Sequence, residues 1–380
     1  MSIIIVDDNV TNQMIIRTIL SKEGYTELRI ASSARQLFGM LHLDSDCRAE
    51  EQVDLILLDM MMPEIDGLEA CRRIQADDRY RDVPIIFVTA VGDSLKLAEA
   101  LDAGATDYVM KPINKLELLA RIRSALRLKH EKDWHKERDK RIRYELELAK
   151  QVQRSVLSSP IQDERISIVA DYRPSFELAG DYYAWFRIDR DRYAVILLDM
   201  MGHGISSSLV CMFISSVLKD MMLRITDPEE VILELNRYMG QLYRSDELMN
   251  YYFTAIFVLI DTANHTVEYV NAGHPPGLVV SGESHAMLNP SGPAIGLFEH
   301  IRVSKGVVPY EPGTVIALYT DGLLESMGQE DDDSLISRIA EHIRMNPGVE
   351  PADRVEGLIQ REDGSSRQRD DICLVQMTLK

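Results

Sequence analysis

The chain has 380 residues, enough for two domains of ordinary size, and 46% of them are hydrophobic, so sizeable cores can form and global disorder is excluded. Its formal net charge of -19 argues against nonspecific binding to nucleic acid or an anionic membrane, and it favours carboxylate clusters that need a cation. The four cysteines, Cys47, Cys71, Cys211 and Cys373, form no CxxC pair, as expected in a reducing cytosol. Asp7 and Asp8 arrive where a signal peptide would need an apolar run, and the longest apolar stretch, 205–223, is interrupted by Lys219 and Asp220. The expectation is a soluble, cytoplasmic protein without a membrane span.

In chain order, residues 1–128 alternate short β-branched runs (3–6, 28–31, 55–58, 85–88 and 107–110) with helical patterns, the first of them 9–23, ended by Gly24. Continuous apolar strands alternating with helices predict an α/β fold with a doubly wound, five-stranded parallel sheet. In such sheets functional groups gather at the carboxyl ends of strands, which here carry Asp7, Asp8, Asp59, Thr89 and Lys111. Three carboxylates converging on one crevice repel one another and call for a hard cation, Mg²⁺, while a lysine opposite can pair with an anion held there. A single strand-end aspartate would be an ordinary solvated turn residue; five matched positions on four strands are not.

These residues, in the series DD…DMMMPEIDG…TA…KP, resemble the receiver domain of bacterial response regulators. The resemblance implies that Asp59 accepts a phosphoryl group from a sensor histidine kinase or a small donor. It implies Mg²⁺ held by Asp7, Asp8, Asp59 and the backbone carbonyl of Met61. Thr89 and Lys111 would contact the phosphoryl oxygens, Tyr108 would be the switch aromatic, and Pro112 would follow Lys111 in a cis bond. Positioning and charge neutralisation are the physical requirements of such a transfer.

Residues 116–157 contain neither Pro nor Gly and are rich in strong helix formers, which predicts one long helix. Apolar residues recur at helical spacing early (Leu119, Ile122, Leu126) and late (Ile142, Leu146, Ala149, Val156), whereas 129–141 is almost wholly charged around Trp134. The helix is therefore either a passive charged linker or a signalling element whose amphipathic ends dock on different domains. The expected division is a domain at 1–128, a helical linker at 129–160 and a second domain at 161–380.

Beyond Pro160 the period changes. Strand patterns at 166–175, 192–200, 251–261, 265–274, 285–289, 302–308, 314–320 and 371–379 surround helical pairs at 205–223 with 228–243 and 335–345 with 351–360, predicting an α+β sandwich of antiparallel sheets flanked by helices. Asp181, Asp199, Asp321 and the pair Asp370–Asp371 each close an apolar strand or open a turn. Any one of them would serve as a turn cap. Jointly, with no compensating Lys or Arg beside Asp181, Asp199 or Asp321, they suggest two Mg²⁺ or Mn²⁺ ions that activate water for attack on a phosphoryl group. The all-oxygen set excludes structural zinc, and His203 and His274 lack a partner at zinc-ligand spacing.

The motifs AGD, DMMGHG, NAGHPP, TDGLLE and RDDI resemble the metal-dependent PPM serine/threonine phosphatases, specifically the bacterial SpoIIE/RsbU branch. By that resemblance Asp199 bridges both metals, Asp181 and the Met200 carbonyl complete one site, and Asp321 and Asp370 complete the other, with Asp371 a lesser candidate. The resemblance implies dephosphorylation of phosphoserine or phosphothreonine on a STAS-type anti-anti-sigma factor, that is, partner switching, with a possible homodimer through the linker helix. Two other outputs fit a receiver: a phosphatase fold that is catalytically silent and only binds its partner, and a nucleotide cyclase suggested by AGDYY. The intact aspartates speak against the first, and TDG with RDDI against the second.

Overall fold

The computed structural model describes residues 1–43, 52–90, 94–202, 204–242, 251–328, 330–359, 368 and 370–380. Two compact units divide it, Met1–Ile142 and Arg143–Lys380. No helix among the described residues is long and apolar enough to cross a membrane.

The first unit runs β1 (Ser2–Val6), α1 (Val10–Lys22), β2 (Glu27–Ala31), α2 (Ala34–Met40), β3 (Leu55–Asp59), α3 (Gly67–Ala76), β4 (Ile85–Thr89), α4 (Ser94–Asp102), β5 (Asp107–Met110) and α5 (Lys115–Val156). The five strands form one parallel sheet in the order β2-β1-β3-β4-β5. Alternate residues of the apolar strands bury on opposite faces: Ile4, Ile56 and Phe87 beneath α2 and α3, and Ile3, Leu57 and Ile86 beneath α1 and the start of α5. Strand order reverses between β1 and β3, so the crevice at their carboxyl ends is the place for a site. Asp7 and Asp59 stand there.

α5 is 42 residues long, about 63 Å at ~1.5 Å per residue. Leu118, Leu119, Ile122 and Leu126 join the first unit's core, each contributing roughly 1.5–3 kcal/mol by burial. Further along, the helix is almost entirely exposed, yet Lys132 and Lys136 both reach Asp82 in the loop before β4.

The second unit runs β6 (Ile161–Gln162), β7 (Ile166–Arg173), β8 (Tyr182–Arg187), β9 (Arg192–Met200), α6 (Ile205–Met221), α7 (Pro228–Leu242), β10 (Phe253–Asp261), β11 (Thr266–Ala272), β12 (Gly277–Ser281), β13 (Ser284–Leu288), β14 (Gly306–Pro309), β15 (Val315–Tyr319), α8 (Asp321–Met327), α9 (Asp332–Met345), α10 (Pro351–Leu358) and β16 (Ile372–Leu379). Two antiparallel sheets result, β14-β11-β10-β9-β8 and β13-β12-β15-β16-β7-β6. Their inner faces meet through residues such as Val195, Leu197, Ile256 and Val258 on one side and Ile316, Leu318, Val375 and Met377 on the other. Helices α6 and α7 cover the outer face of the first sheet, and α8 to α10 cover that of the second. This is the expected helix-flanked sandwich.

Three elements differ from the sequence expectation. β8 reads YYAWFR, buried at its first four residues, so it lacks the polar alternation of a half-exposed strand. β12 is short and follows Pro275–Pro276 directly. α8 has seven residues and carries a glycine in its first turn, which composition alone disfavours.

Candidate functional site

At the crevice of the first unit, Asp7 is 1% exposed and Asp59 6% exposed, while Asp8 faces solvent. The Lys111 ammonium bridges them, with Nζ 2.9 Å from both Asp7 Oδ2 and Asp59 Oδ2. Burial raises the Asp59 carboxyl above the ordinary range; the Lys111 hydrogen bond opposes this and the Asp7 charge reinforces it. Burial alone would pull the lysine down, but its hydrogen bonds to Asp59 and Asp7 outweigh it and raise it. Two carboxylates per ammonium leave an excess of negative charge.

Ligand oxygens of Asp7, Asp8 and Asp59 lie within 4.8 Å of one another, so the set fits a hard divalent cation. Asp7 is aimed by Asn9 N, which donates to its Oδ1 at 2.8 Å, and by the buried Gln13 amide, which donates to its carbonyl at 2.6 Å. Met61 is exposed at its side chain, and its N–H donates to Asp59 Oδ1 at 3.5 Å. Thr89 is fully buried at the end of β4, and Tyr108 is half-buried beneath the Arg121 guanidinium, 5.4 Å above its ring. The Lys111–Pro112 bond is cis. Gly67, a position sequence reasoning passed over, opens α3 so close to the acceptor that a Cβ there would stand 2.2 Å from the Asp59 carbonyl.

In the second unit, antiparallel pairing brings five aspartates to strand ends. β8 begins just after Asp181 and pairs with β9, which ends at Asp199 and Met200. In the other sheet β15 ends just before Asp321 and pairs with β16, which starts just after Asp370 and Asp371. Asp181 is buried, Asp199 and Asp370 are half-buried and Asp321 is exposed.

Asp199 feels the charges of Asp321 and Asp370 and pairs across the sheet with Thr254. Burial, then the charge and hydrogen bond of Asp321, push its carboxyl up to about 8. Asp181 is raised as well, by burial and then by Asp199 and Asp371. The groups dominating both are acids, apart from the Thr320 hydroxyl, so the cluster can shed charge only by taking up protons or a cation. An oxygen-only donor set of this kind fits Mg²⁺ or Mn²⁺.

The paired aspartates divide the work. Asp371 accepts from Ser175 N (2.7 Å), Ser175 Oγ (2.9 Å) and Gly180 N (2.8 Å), so it braces the loop before β8. Asp370 is the member whose charge reaches Asp199. Thr320 Oγ1 donates to Asp181 Oδ2 at 2.9 Å and itself accepts from Cys373 N at 3.0 Å, locking that carboxylate. Two glycines allow the close approach: a Cβ on Gly180 would stand 3.2 Å from the Met200 carbonyl, and one on Gly322 would stand 2.0 Å from the Asp371 carbonyl. Thr320 and Asp371 lie inside TDG and RDDI, and the sequence offered Asp371 as a lesser candidate ligand; the bracing roles of both emerge only from the fold.

Thr254, cross-strand from Asp199, shares a 2.8 Å hydrogen bond with His274 Nδ1, and burial pushes that imidazole down to about 3, so it stays neutral. His203 lies outside the described residues. Beside Asp321 a groove of about 630 Å³ runs past His274, Pro275, Leu324 and Ile336.

A family model described as Stage II sporulation protein E (SpoIIE) matches residues 189–380, and one described as a response regulator receiver domain matches residues 3–123. Phosphoserine phosphatase RsbP of Bacillus subtilis (strain 168) is 34% identical over 241 residues, covering 62% of this chain and 58% of its own length. The probable transcriptional regulator ycf27 of Guillardia theta is 40% identical over 125 residues, covering 33% of this chain and 45% of its own. The chain thus spans about half of these curated relatives. Among solved structures, the SiaA-PP2C domain of Pseudomonas aeruginosa aligns with a TM-score of 0.54 at 22% identity, over 64% of this chain and 98% of that one, a likeness of fold.

Proposed function

We propose, from the premise that this chain belongs to the Stage II sporulation protein E (SpoIIE) family and joins it to a receiver domain, that it is a response regulator with a protein phosphatase output. Phosphorylation of Asp59 by a sensor histidine kinase controls metal-dependent hydrolysis of phosphoserine or phosphothreonine. The observation that carries this reading is the arrival of Asp181, Asp199, Asp321 and Asp370 at the ends of paired strands, with acids dominating the surroundings of Asp199. Two Mn²⁺ or Mg²⁺ ions bound there would supply an activated water and neutralise charge on the phosphoryl oxygens.

Asp199 would help hold both ions, Asp181 and the Met200 carbonyl one of them, and Asp321 and Asp370 the other. Thr320 holds Asp181 in place. In the receiver, Asp7, Asp8, Asp59 and the Met61 carbonyl would hold Mg²⁺, Lys111 and Thr89 would meet the phosphoryl group, and Tyr108 would report the change. Residues 1–128, 129–160 and 161–380 act as receiver, transmitter and phosphatase.

The substrate is a phosphorylated STAS-type anti-anti-sigma protein, a reading supported by the likeness to RsbP, a phosphoserine phosphatase. A stripe of exposed apolar residues on α5, Tyr144, Leu148 and Val152, supports a homodimer along that helix. The test is hydrolysis of a phosphoserine protein with Mn²⁺ or Mg²⁺, abolished by EDTA and by Asp199→Ala. Full activity of that variant overturns the assignment.

A further inference from the structure

The last turns of α5 turn one stripe inward: Leu146, Ala149, Gln153 and Val156, spaced by three and four residues. Three are apolar and the fourth is an amide only 3% exposed. An amide in such a place is destabilising unless both of its ends are bonded. Both are. Gln153 Nε2 donates to the Ala179 carbonyl at 2.7 Å, and Ala179 N donates back to Gln153 Oε1 at 3.2 Å. The side chain pairs with the backbone of Ala179 as a neighbouring strand would.

Ala179 stands two residues before Asp181, and each residue of that short segment is held by a different element. Ala179 is held by α5, Gly180 N by Asp371 at 2.8 Å, and the Asp181 carbonyl by the Tyr172 hydroxyl at 3.1 Å. Of the three, only the first restraint comes from the helix. Gln153 lies upstream of residues 189–380, the segment matching the SpoIIE family.

We infer that Gln153 is a positioning residue for the cation site: through the reciprocal pair with Ala179, α5 sets where the Asp181 carboxylate sits. An apolar side chain of similar size would fill the same space, but it would let the helix slide or turn without moving the loop. The amide makes the two positions conditional on each other, because a displacement of about 1 Å already takes both bonds out of range. Gln153 acts through Ala179 and touches no reacting atom. The inference rests on the metal-dependent reading proposed above.

The test uses the full chain with Mn²⁺ as probe. Gln153→Leu removes both bonds at similar volume, Gln153→Met does so more gently, and Val156→Ala damages the same helix–core contact while leaving the amide intact. Mn²⁺ binding is measured by calorimetry and by the Mn²⁺-induced rise in melting temperature, alongside p-nitrophenyl phosphate hydrolysis against Mn²⁺ concentration.

The expected result is a Mn²⁺ dissociation constant raised at least roughly fivefold in both Gln153 variants, the scale of a lost hydrogen bond. Rates should recover at saturating Mn²⁺, and Val156→Ala should stay within about twofold of the parent. Unchanged Mn²⁺ binding in a folded Gln153→Leu or Gln153→Met protein, or an equal shift in Val156→Ala, overturns the inference alone. A parent chain that binds no Mn²⁺ overturns the functional reading and this inference with it.

Discussion

Replacing the central acid of the aspartate cluster by an amide should stabilise the metal-free protein while destroying its activity. The perturbation is Asp199→Asn. At pH 7 the folded Asp199 carboxyl, pushed up to about 8, keeps its proton, whereas in the unfolded chain, at its ordinary value of 3.8, it ionises. Holding that proton against a gap of about three pH units costs the fold up to about 4 kcal/mol. Relaxation around a half-buried group shared with Asp321 and Asp181 reduces this to an expected 1–3 kcal/mol, order of magnitude. An asparagine carries no such cost and can donate to either neighbour.

For a unit of this size the gain corresponds to about 4–8 °C in melting temperature. The assay is calorimetry in EDTA across pH 5 to 8.5, following the transition of the second unit. Because the folded value is the raised one, Asp199's contribution is intact below about pH 4 and is lost as the pH climbs towards 8. The parent should therefore melt progressively lower over that window, and the variant should fall less. Adding Mn²⁺ should reverse the order, since only the parent keeps the bridging ligand. An Asp199→Asn protein that is less stable without metal, or that gains as much from Mn²⁺ as the parent, would refute the reasoning.

Asp59→Asn should abolish labelling by acetyl phosphate, read by phosphate-affinity electrophoresis; surviving label would mean that the acceptor lies elsewhere. Glu145→Pro removes a backbone bond from α5 and costs ~3 kcal/mol or more. That variant should still accept a phosphoryl group at Asp59, but the ratio of phosphatase rates with and without phosphorylation should fall to one; an unchanged ratio would leave α5 a tether. Gly322→Ala places a Cβ 2.0 Å from the Asp371 carbonyl, so it should lower the second unit's stability by roughly 1–3 kcal/mol and suppress activity, as measured by melting and turnover. A variant of parental stability and rate would show that the TDG glycine is dispensable.

The first unit was legible because its strands are buried on both faces: IIIV, LILL and IIFV announce a parallel sheet, and a parallel sheet announces where its acids and lysine converge. In the second unit the aspartates were legible as strand terminators and were expected to group, but how the chain brings them together was not legible. That depends on two separate antiparallel pairings, β8 with β9 and β15 with β16, which periodicity does not encode. β8 escaped for a related reason, since a doubly buried aromatic strand has no alternation to detect. The late stripe of α5 was read from its apolar members, Ile142, Leu146, Ala149 and Val156. Ile142 proves 47% exposed, at the limit of the first unit, and the place of a fifth member is taken by Gln153. A polar residue in a core register was the available signal, and a search for apolar spacing discards it.

The long helix has one further consequence, an angular one. Its polar middle is bounded by Lys136, which grips Asp82, and Gln153, which grips Ala179, 17 positions later (153 − 136). Each residue of an α-helix advances the azimuth by about 100° and the axis by ~1.5 Å. On the helix surface itself, inserting seven residues between the two positions therefore brings the second back to within about 20° of its azimuth, while inserting two turns it by about 200°. Along that stretch the number of residues matters as well as their side chains. A spacer that keeps both grips on the same faces of α5 can therefore change length only by close to whole turns, roughly 7, 11 or 18 residues, so its length is quantised by the helical repeat.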